Sequence, residues 1–555
     1  MHSRTHDRTR WTVRLALGLA LLLAPLVSLG LAPHVATAQV RIPAEALADD
    51  AHLQQLLQRG QELEQGARWG EALSHYEQAL REYPDRGDLR QRFVLARTHF
   101  DVSRRYHDRS FTGMLGSVTE AEALDLYGDV LLKINTHSAY SPDWAELGRR
   151  GQYTLEVALS DPEFAKSHLA EVDSERLNTL LDHLRTTIAE FPPKSRADCR
   201  DLAAWSARTA WQTAGIAPQA VLLEFTCGAV ASLDEYSSYL TRDQLAEVYS
   251  QIDGNFVGLG IELKSEEGRL GVVNVLGDSP AHRAGLRAGD WITAVDGRST
   301  ADVSTDAAAD LLKGPEGTYV DIVVASADGS ERQLRLERQR VEVPSVEGVK
   351  MLDPDSGVGY FQITSFQKNT SRDVDAALWQ LHRAGMRSLV IDVRGNPGGL
   401  LTASVEVADK FITGGTIVST RGRSTQEDYD YKAHEVGTWR LPLIVLIDGD
   451  SASAAEIFAA AIRDSRAGTV VGQQSYGKGT VQGIFPLGKS GCGVRLTTAK
   501  FYSPSGTPIS HRGVSPDLAV RKVARVTSEG QTIDQQGDDV LSAALQMARQ
   551  QARRP

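Results

Sequence analysis

Short runs of aliphatic residues, each closed by a turn of small residues, set the rhythm of the C-terminal half of the chain. Leu443 to Ile447 is purely apolar, as expected of a strand buried on both faces. A run rich in Ala, Ile, Phe and Glu follows from Ala452 to Arg463 and reads as a helix. Thr469 to Val471, bounded by Gly468 and Gly472, reads as the next strand. Strand, helix, strand in this order predicts a right-handed parallel crossover. Ser388 to Val393 repeats the pattern, with a turn from Arg394 to Leu400 and a helix from about Leu401 to Phe411. The loops that follow these strands then share one edge of a sheet, the edge at which open α/β sheets bind ligands.

The N-terminal half has helical periodicity instead. Residues 45 to about 160 are expected to be helical. Gln54 to Pro84 carries Leu57, Gly66, Trp69, Ala72, Leu73, Tyr76, Ala79, Leu80 and Pro84, which resembles one tetratricopeptide repeat, a helix–turn–helix of about 34 residues. A weaker second unit runs through Phe93, Ala96, Phe100 and Tyr106. One repeat cannot bury its own faces, so neighbouring helices must complete the stack. Two readings stand for this region, a docking module for a protein partner and a helical spacer or dimer arm. Residues 161 to 250 are also expected to be mainly helical, with Pro192 and Pro193 as a break.

The strand-to-helix turns bring the chemistry. Ser453 sits where the helix after Leu443–Ile447 begins, and Lys478 sits between Gly477 and Gly479 after the next strand. The crossover puts both on the same sheet edge, so a serine nucleophile and a lysine base can meet. Lysine serves as a base only when neutral, so its pKa must fall from about 10.4 toward about 7–8, which desolvation can achieve. The flanking glycines allow backbone to pack closely over the amine, and the Gln482 amide is placed to hold it in line with the Ser453 hydroxyl. Gly398 and Gly399 lack Cβ atoms, so their N–H groups can approach a ligand. An oxyanion hole is expected from the N–H groups of Gly399 and Ala454. Ser451 competes with Ser453, and a serine in such a turn is by default a helix cap. His434 and His511 are lone histidines in polar loops. No His-Glu-x-x-His, Cys-x-x-Cys or phosphate-binding glycine loop occurs, so neither a metal nor a cofactor is expected.

Together these segments resemble the carboxyl-terminal processing (tail-specific) proteases. The resemblance is carried by Leu233-Asp-Glu-Tyr-Ser237, Gly258-Leu-Gly-Ile261, Asn396-Pro-Gly-Gly-Leu400, Ser451-Ala-Ser-Ala-Ala-Glu-Ile457, Gly477-Lys-Gly-Thr-Val-Gln482, Tyr502-Ser-Pro-Ser-Gly506 and Gly513-Val-Ser-Pro-Asp517. Ala455 departs from it, since relatives often carry serine there. The resemblance implies Ser453 as nucleophile, Lys478 as base and Gln482 as support. It also implies a PDZ domain inserted in an α/β core of the ClpP/crotonase-like type. Residues 253–343 read as that domain. Strands are expected over Phe256 to Lys264, Gly271 to Leu276, Trp291 to Val295, Tyr319 to Ala325 and Arg332 to Glu337, with a groove helix from Asp306 to Lys313. Gly258, Leu259, Gly260 and Ile261 are expected to offer N–H groups to a peptide carboxylate, with the peptide adding as a strand. The expected fold is therefore multidomain α+β. Its order is a tetratricopeptide-like region to residue 160, the helical start of the protease body at 161–252, the PDZ domain, the catalytic core at 344–520, and a tail with a short helix at 521–555. The expected function is an exported serine endopeptidase acting on proteins or peptides with free C-termini. The rival reading is a catalytically silent PDZ and helical-repeat scaffold. Self-association is left open.

Composition adjusts this picture at its edges. A net charge of −11 on 555 residues disfavours nucleic acid as a partner. Arg4, Arg8, Arg10 and Arg14 precede an apolar run from Leu15 to Leu31, and Ala36-Thr-Ala38 ends it. That is the pattern of a secretory leader over residues 1–38, placing the chain in the periplasm or cell envelope. An uncleaved membrane anchor is the alternative. Cys199, Cys227 and Cys492 are the three cysteines. A Cys199–Cys227 disulfide and three free thiols are equally open.

Overall fold

The computed structural model describes residues 44–266, 269–301, 311–326, 329–488, 490–520, 525–526, 532–533 and 538–552. The expected leader and all but the end of the expected groove helix lie outside the described residues.

Helices dominate the first half. Ala44–Gln65 and Trp69–Glu82 form a hairpin that continues into Gly87–His107. Leu53, Leu63, Ala72, Tyr76, Ala79, Leu89 and Ala96 give this arm a small core of its own, and Trp69 stacks on His99 at 3.9 Å. Val102 and Tyr106, at the far end of Gly87–His107, belong to a second and larger core with Leu126, Tyr127, Leu155 and Phe225. One helix thus ties the arm to the body. Inside that junction Arg105 donates to Glu224 at 2.6 Å, and the Tyr106 hydroxyl donates to the same carboxylate at 3.0 Å. A buried charge pair of this kind costs desolvation energy and is tolerated because its groups are hydrogen-bonded. Local signals explain the helix boundaries. Thr119 and Glu122 form a reciprocal cap, Pro162 and Pro218 open helices, and Gly215 closes Arg196–Ala214 in the left-handed region at φ 69°. The Pro192–Pro193 break separates Ser174–Glu190 from Arg196–Ala214.

The peptidase body is built on two large sheets among the described residues. The first has six strands in the order Val346–Asp353, Val358–Ile363, Ser388–Asp392, Leu443–Ile447, Thr469–Gly472 and Leu518–Ala519. All neighbours are parallel except the first pair. Helices Thr370–Arg383, Leu401–Asp409 and Ala454–Asp464 cover one face through a core that includes Phe361, Leu378, Val407 and Phe458. The C-terminal helix Asp539–Ala552 covers the other face with Val540, Ala544 and Ala548. Burial on both faces accounts for the aliphatic runs. The second sheet is antiparallel, with Ser238–Leu240, Thr416–Gly422, Tyr429–Lys432 and Thr480–Leu487 around Cys492–Tyr502.

The inserted domain begins and ends as a ribbon of Asn255–Gly258 paired with Gln339–Glu342. Its sheet holds Ile261–Glu266, Arg269–Val275, Trp291–Val295, Tyr319–Ala325 and Glu331–Glu337. The strand expected from Phe256 to Lys264 is in fact two strands. Leu259 and Gly260 interrupt it, with Gly260 at φ 78°. All three cysteines are buried free thiols, so Cys199 and Cys227 form no disulfide.

Candidate active site

The turn after Leu443–Ile447 is held by its first serine. The Ser451 hydroxyl is fully buried, donates to the Val393 carbonyl at 2.8 Å and accepts from the Asp448 N–H at 3.0 Å. It is occupied inside the fold. Two residues on, Ser453 is half-buried at the head of helix Ala454–Asp464, with φ 55° and ψ −115°. A non-glycine residue in that region stores roughly 1–3 kcal/mol of backbone strain, and such strain gathers at functional sites. Gly398 packs against it. A Cβ there would sit 2.7 Å from Ser453 Cβ and 3.0 Å from the Ala454 nitrogen, so only glycine lets the two turns approach.

Asn396 organises the facing turn. Its side chain is fully buried, donates to the Ile363 carbonyl at 2.8 Å and accepts from the Gly398 N–H at 2.8 Å. The Gly398 carbonyl and the Leu400 N–H both bond to Phe366. Gly399 is left at φ 135°. Neither its N–H nor that of Ala454 has a hydrogen-bond partner among the described residues. Two free donors beside Ser453 are what an oxyanion requires.

The lysine turn is joined to the serine turn by one carboxylate. Glu456 is fully buried. Its Oε2 accepts from the backbone N–H of Ser453 at 2.7 Å and of Lys478 at 2.9 Å. Its Oε1 accepts from the Gly477 N–H at 2.7 Å and the Ser475 hydroxyl at 2.6 Å. Burial pushes the Glu456 carboxyl up, against these four hydrogen bonds, which favour the carboxylate. The Lys478 turn also packs tightly on its other side, where a Cβ on Gly479 would lie 2.1 Å from the Ser510 nitrogen.

Lys478 is half-buried, and its ammonium lies over the Tyr236 ring, 4.8 Å from the centroid. Burial holds its pKa below the ordinary lysine value, and the Arg495 guanidinium adds to this. Glu235, Asp234 and Glu456 oppose it. Among the described residues no hydrogen bond joins Lys478 Nζ to Ser453 Oγ, and free enzymes often close such contacts only around substrate. Gln482 does not hold the amine in this arrangement. It stands on Thr480–Leu487, and its amide donates to the Thr480 hydroxyl at 2.8 Å and carbonyl at 3.2 Å. His434 is exposed and pairs with Asp409 at 3.0 Å. Among the described residues no group of three or more His, Cys, Asp or Glu could hold a metal ion.

The loop from Gly258 to Ile261 of the inserted domain turns its carbonyls into the fold. The Leu259 carbonyl accepts from the Ala281 N–H at 3.0 Å, and the Gly260 carbonyl accepts from the Leu276 N–H at 2.9 Å. Their own N–H groups have no partner among the described residues. Gly258 and Ile261 are held in the flanking strands. Ile261–Glu266 is an edge strand of its sheet, the position that β-strand addition uses.

Residues 357–520, which carry both turns, match the model of peptidase family S41, and residues 271–326 match a PDZ domain. A carboxy-terminal-processing protease of Bartonella bacilliformis is 38% identical over 301 residues, 53% of this chain and 68% of that protein. The chain belongs to peptidase family S41. A carboxyl-terminal-processing protease of Synechocystis is 35% identical over 332 residues, 58% of this chain and 76% of the relative. The solved photosystem II D1 C-terminal processing protease is 28% identical, covering 65% of this chain and 96% of its own, with a TM-score of 0.37. This S41 peptidase is thus a serine-type enzyme of the carboxy-terminal-processing group. Asn396, Glu456, Tyr236 and Arg495 were not singled out from the sequence. Glu456 had one available signal, its place three residues after a serine at a helix start, the spacing of a capping box.

Proposed function

We propose that the chain is an exported endopeptidase that cleaves near protein C-termini through a Ser453–Lys478 dyad, with substrates captured by the PDZ domain. The observation that carries this reading is the strained Ser453 turn, bound through Glu456 to the Lys478 turn and faced by two free N–H donors. Ser453 Oγ attacks the scissile carbonyl carbon while neutral Lys478 takes its proton. The oxygen that gains charge is received by the N–H groups of Gly399 and Ala454. Collapse breaks the C–N bond, Lys478 returns the proton to the leaving amine, and an ester to Ser453 remains. Lys478 then draws a proton from water, which attacks the ester carbon; the C–O bond to Ser453 breaks, and Lys478 returns the proton to Ser453 Oγ. Gln482 joins this arrangement if its amide turns from Thr480 toward the amine as substrate enters.

Around the reacting pair, the free N–H groups of Leu259 and Gly260 support capture of a carboxylate, and the open edge of Ile261–Glu266 supports strand addition. The N-terminal arm is read as tetratricopeptide-like, since Trp69, Ala72, Tyr76 and Ala79 pack within its hairpin. The core is read as ClpP/crotonase-like. The basic and apolar N-terminal segment supports export. Comparison of protein C-termini from cells carrying wild-type enzyme and Ser453→Ala tests the whole reading. The expected result is a set of shortened C-termini present only with the wild type. Identical C-termini in both would refute it.

A further inference from the structure

A cavity of about 1140 Å³ lies between the N-terminal arm and the peptidase body. Both family matches begin after residue 270, so the arm lies outside them. Yet the arm reaches the catalytic turns. The Tyr476 hydroxyl donates to Glu77 at 3.2 Å, Arg81 lies over the Tyr476 ring at 4.9 Å, and Arg81 pairs with Asp450 at 3.5 Å. Tyr476 is two residues from Lys478, and Asp450 is three from Ser453. The cavity runs from this contact along Tyr476–Gly477 and Gly479–Thr480, the residues on either side of Lys478, and along Leu233–Leu240.

Two features of its walls point to an occupant. First, Arg105, Arg150, Asp234, Ser238 and Ser510 line it, and each carries a buried side-chain atom with no hydrogen-bond partner among the described residues. These are five of the eleven such atoms in the described structure. Arg105 is only 7% exposed. Stranded polar atoms thus gather around this cavity from the arm, the Leu233–Leu240 segment and the body, and an occupant can partner them once these side chains turn toward it. Second, Arg97 and Arg104 of the arm and Arg495 of the body converge there. Arg97 reaches the Asp234 and Ser237 carbonyls at 3.3 and 3.2 Å, and Arg495 donates to the Tyr236 carbonyl at 3.1 Å. Asp101 stands 3.5 Å from Arg97. Arg104 is exposed and forms no ion pair among the described residues. Burial disfavours the charge on Arg495, and the positive charges of Arg97 and Arg104 add to this. The Asp234 and Asp101 carboxylates oppose it, and an anion entering the cavity would favour the charged guanidinium in the same direction.

We infer that this cavity is the channel for the substrate polypeptide on one side of the scissile bond, and that Arg97, Arg104 and Arg495 select an acidic side chain within it. The arm is then a specificity wall of the peptidase. A polypeptide fits the stranded groups, since its N–H and C=O groups supply both donors and acceptors. An acidic residue fits the arginines. The inference deepens the Ser453–Lys478 reading and rests on it.

The test is binding to full-length Ser453→Ala, which needs no turnover. Two fluorescent peptides are compared by anisotropy, identical except that one carries Glu where the other carries Gln. Both are amidated at the C-terminus, which removes the carboxylate that the PDZ loop is proposed to hold. The Glu peptide is expected to bind roughly three- to tenfold more tightly at low salt, with the difference fading at high salt. Adding Arg104→Ala should remove most of the difference, and Arg104→Glu should reverse it. Arg104 is exposed, so both variants should keep the parent's thermal unfolding midpoint, which is measured alongside. Equal affinity for the two peptides, binding of neither, or a preference that survives Arg104→Glu overturns the inference. Fluorophosphonate labelling of Ser453 in the wild-type enzyme separates the two claims. If Ser453 labels and the Glu preference is absent, the channel falls and the dyad stands; the reverse outcome removes the dyad.

Discussion

Glu456 is the residue that joins the Ser453 turn to the Lys478 turn. Four donors converge on its two oxygens, so an acceptor-only carboxylate suits the position and an amide does not. Glu456→Gln turns an NH2 group toward donors. We expect it to lose about 2–4 kcal/mol of stability and to lower kcat about a hundredfold, because the serine and lysine turns would no longer be held in register. Thermal unfolding and steady-state kinetics measure the two effects. If Glu456→Gln keeps full kcat, the bridge is not a positioning device. The neutral form of Lys478 is the proposed base, and burial holds its pKa below the ordinary value of about 10.4. Activity should therefore rise with pH and level off before that value is reached. The folded state disfavours the charged amine, so this site's contribution to stability is unfavourable below its folded pKa and vanishes above the unfolded one. A kcat/KM profile that is flat from neutral to alkaline pH would contradict the assignment.

At the scale of elements, the turn that carries Gly398 and Gly399 is anchored from behind. Arg394 forms ion pairs at 2.6 Å with Asp392, at the end of its strand, and at 2.7 Å with Asp538, at the start of the C-terminal helix. Hydrogen bonding to Arg394 holds the Asp538 carboxyl below the usual carboxylate range. Its contribution is present at neutral pH and is lost as pH falls through that lowered value. Asp538→Ala should cost about 1 kcal/mol, read as a lowered unfolding midpoint at pH 7 and a smaller difference in acid. An unchanged midpoint at both values would show that the helix is not clamped there. The parallel strands were legible in the sequence because burial on both faces leaves uninterrupted runs such as Leu443–Ile447. The antiparallel sheet was not. Thr480–Leu487 and Cys492–Tyr502 mix polar and apolar positions, and Ser238 pairs with Arg495 across more than half of the chain's C-terminal portion. Pairing at that separation leaves no local trace. Ser453 and Lys478 could be placed from turn residues, whereas the partner of Gln482 could not, because a flexible amide is fixed by neighbours that spacing does not name.

At the scale of the whole molecule, three bodies address one site. The PDZ domain is proposed to hold a substrate's tail, the S41 core to cut, and the arm to select beside the cut. If tail capture feeds the core, removing the terminal charge should weaken cleavage without touching chemistry. A peptide with an amidated C-terminus should show kcat/KM lowered by roughly tenfold or more, mostly through KM, while N-terminal acetylation should change little. Equal cleavage of free and amidated peptides below saturation would remove the tail-recognition step. Cleavage itself is proposed to turn on Ser453 and Lys478 alone. The rate at which a fluorophosphonate labels the enzyme, followed against pH with the labelled residue located by mass spectrometry, tests it most directly. The expected result is a single label on Ser453, formed faster as pH rises, and lost in both Ser453→Ala and Lys478→Arg, since arginine keeps its proton at any accessible pH. A label on Ser451, or labelling of Ser453 that Lys478→Arg leaves unchanged, would contradict it.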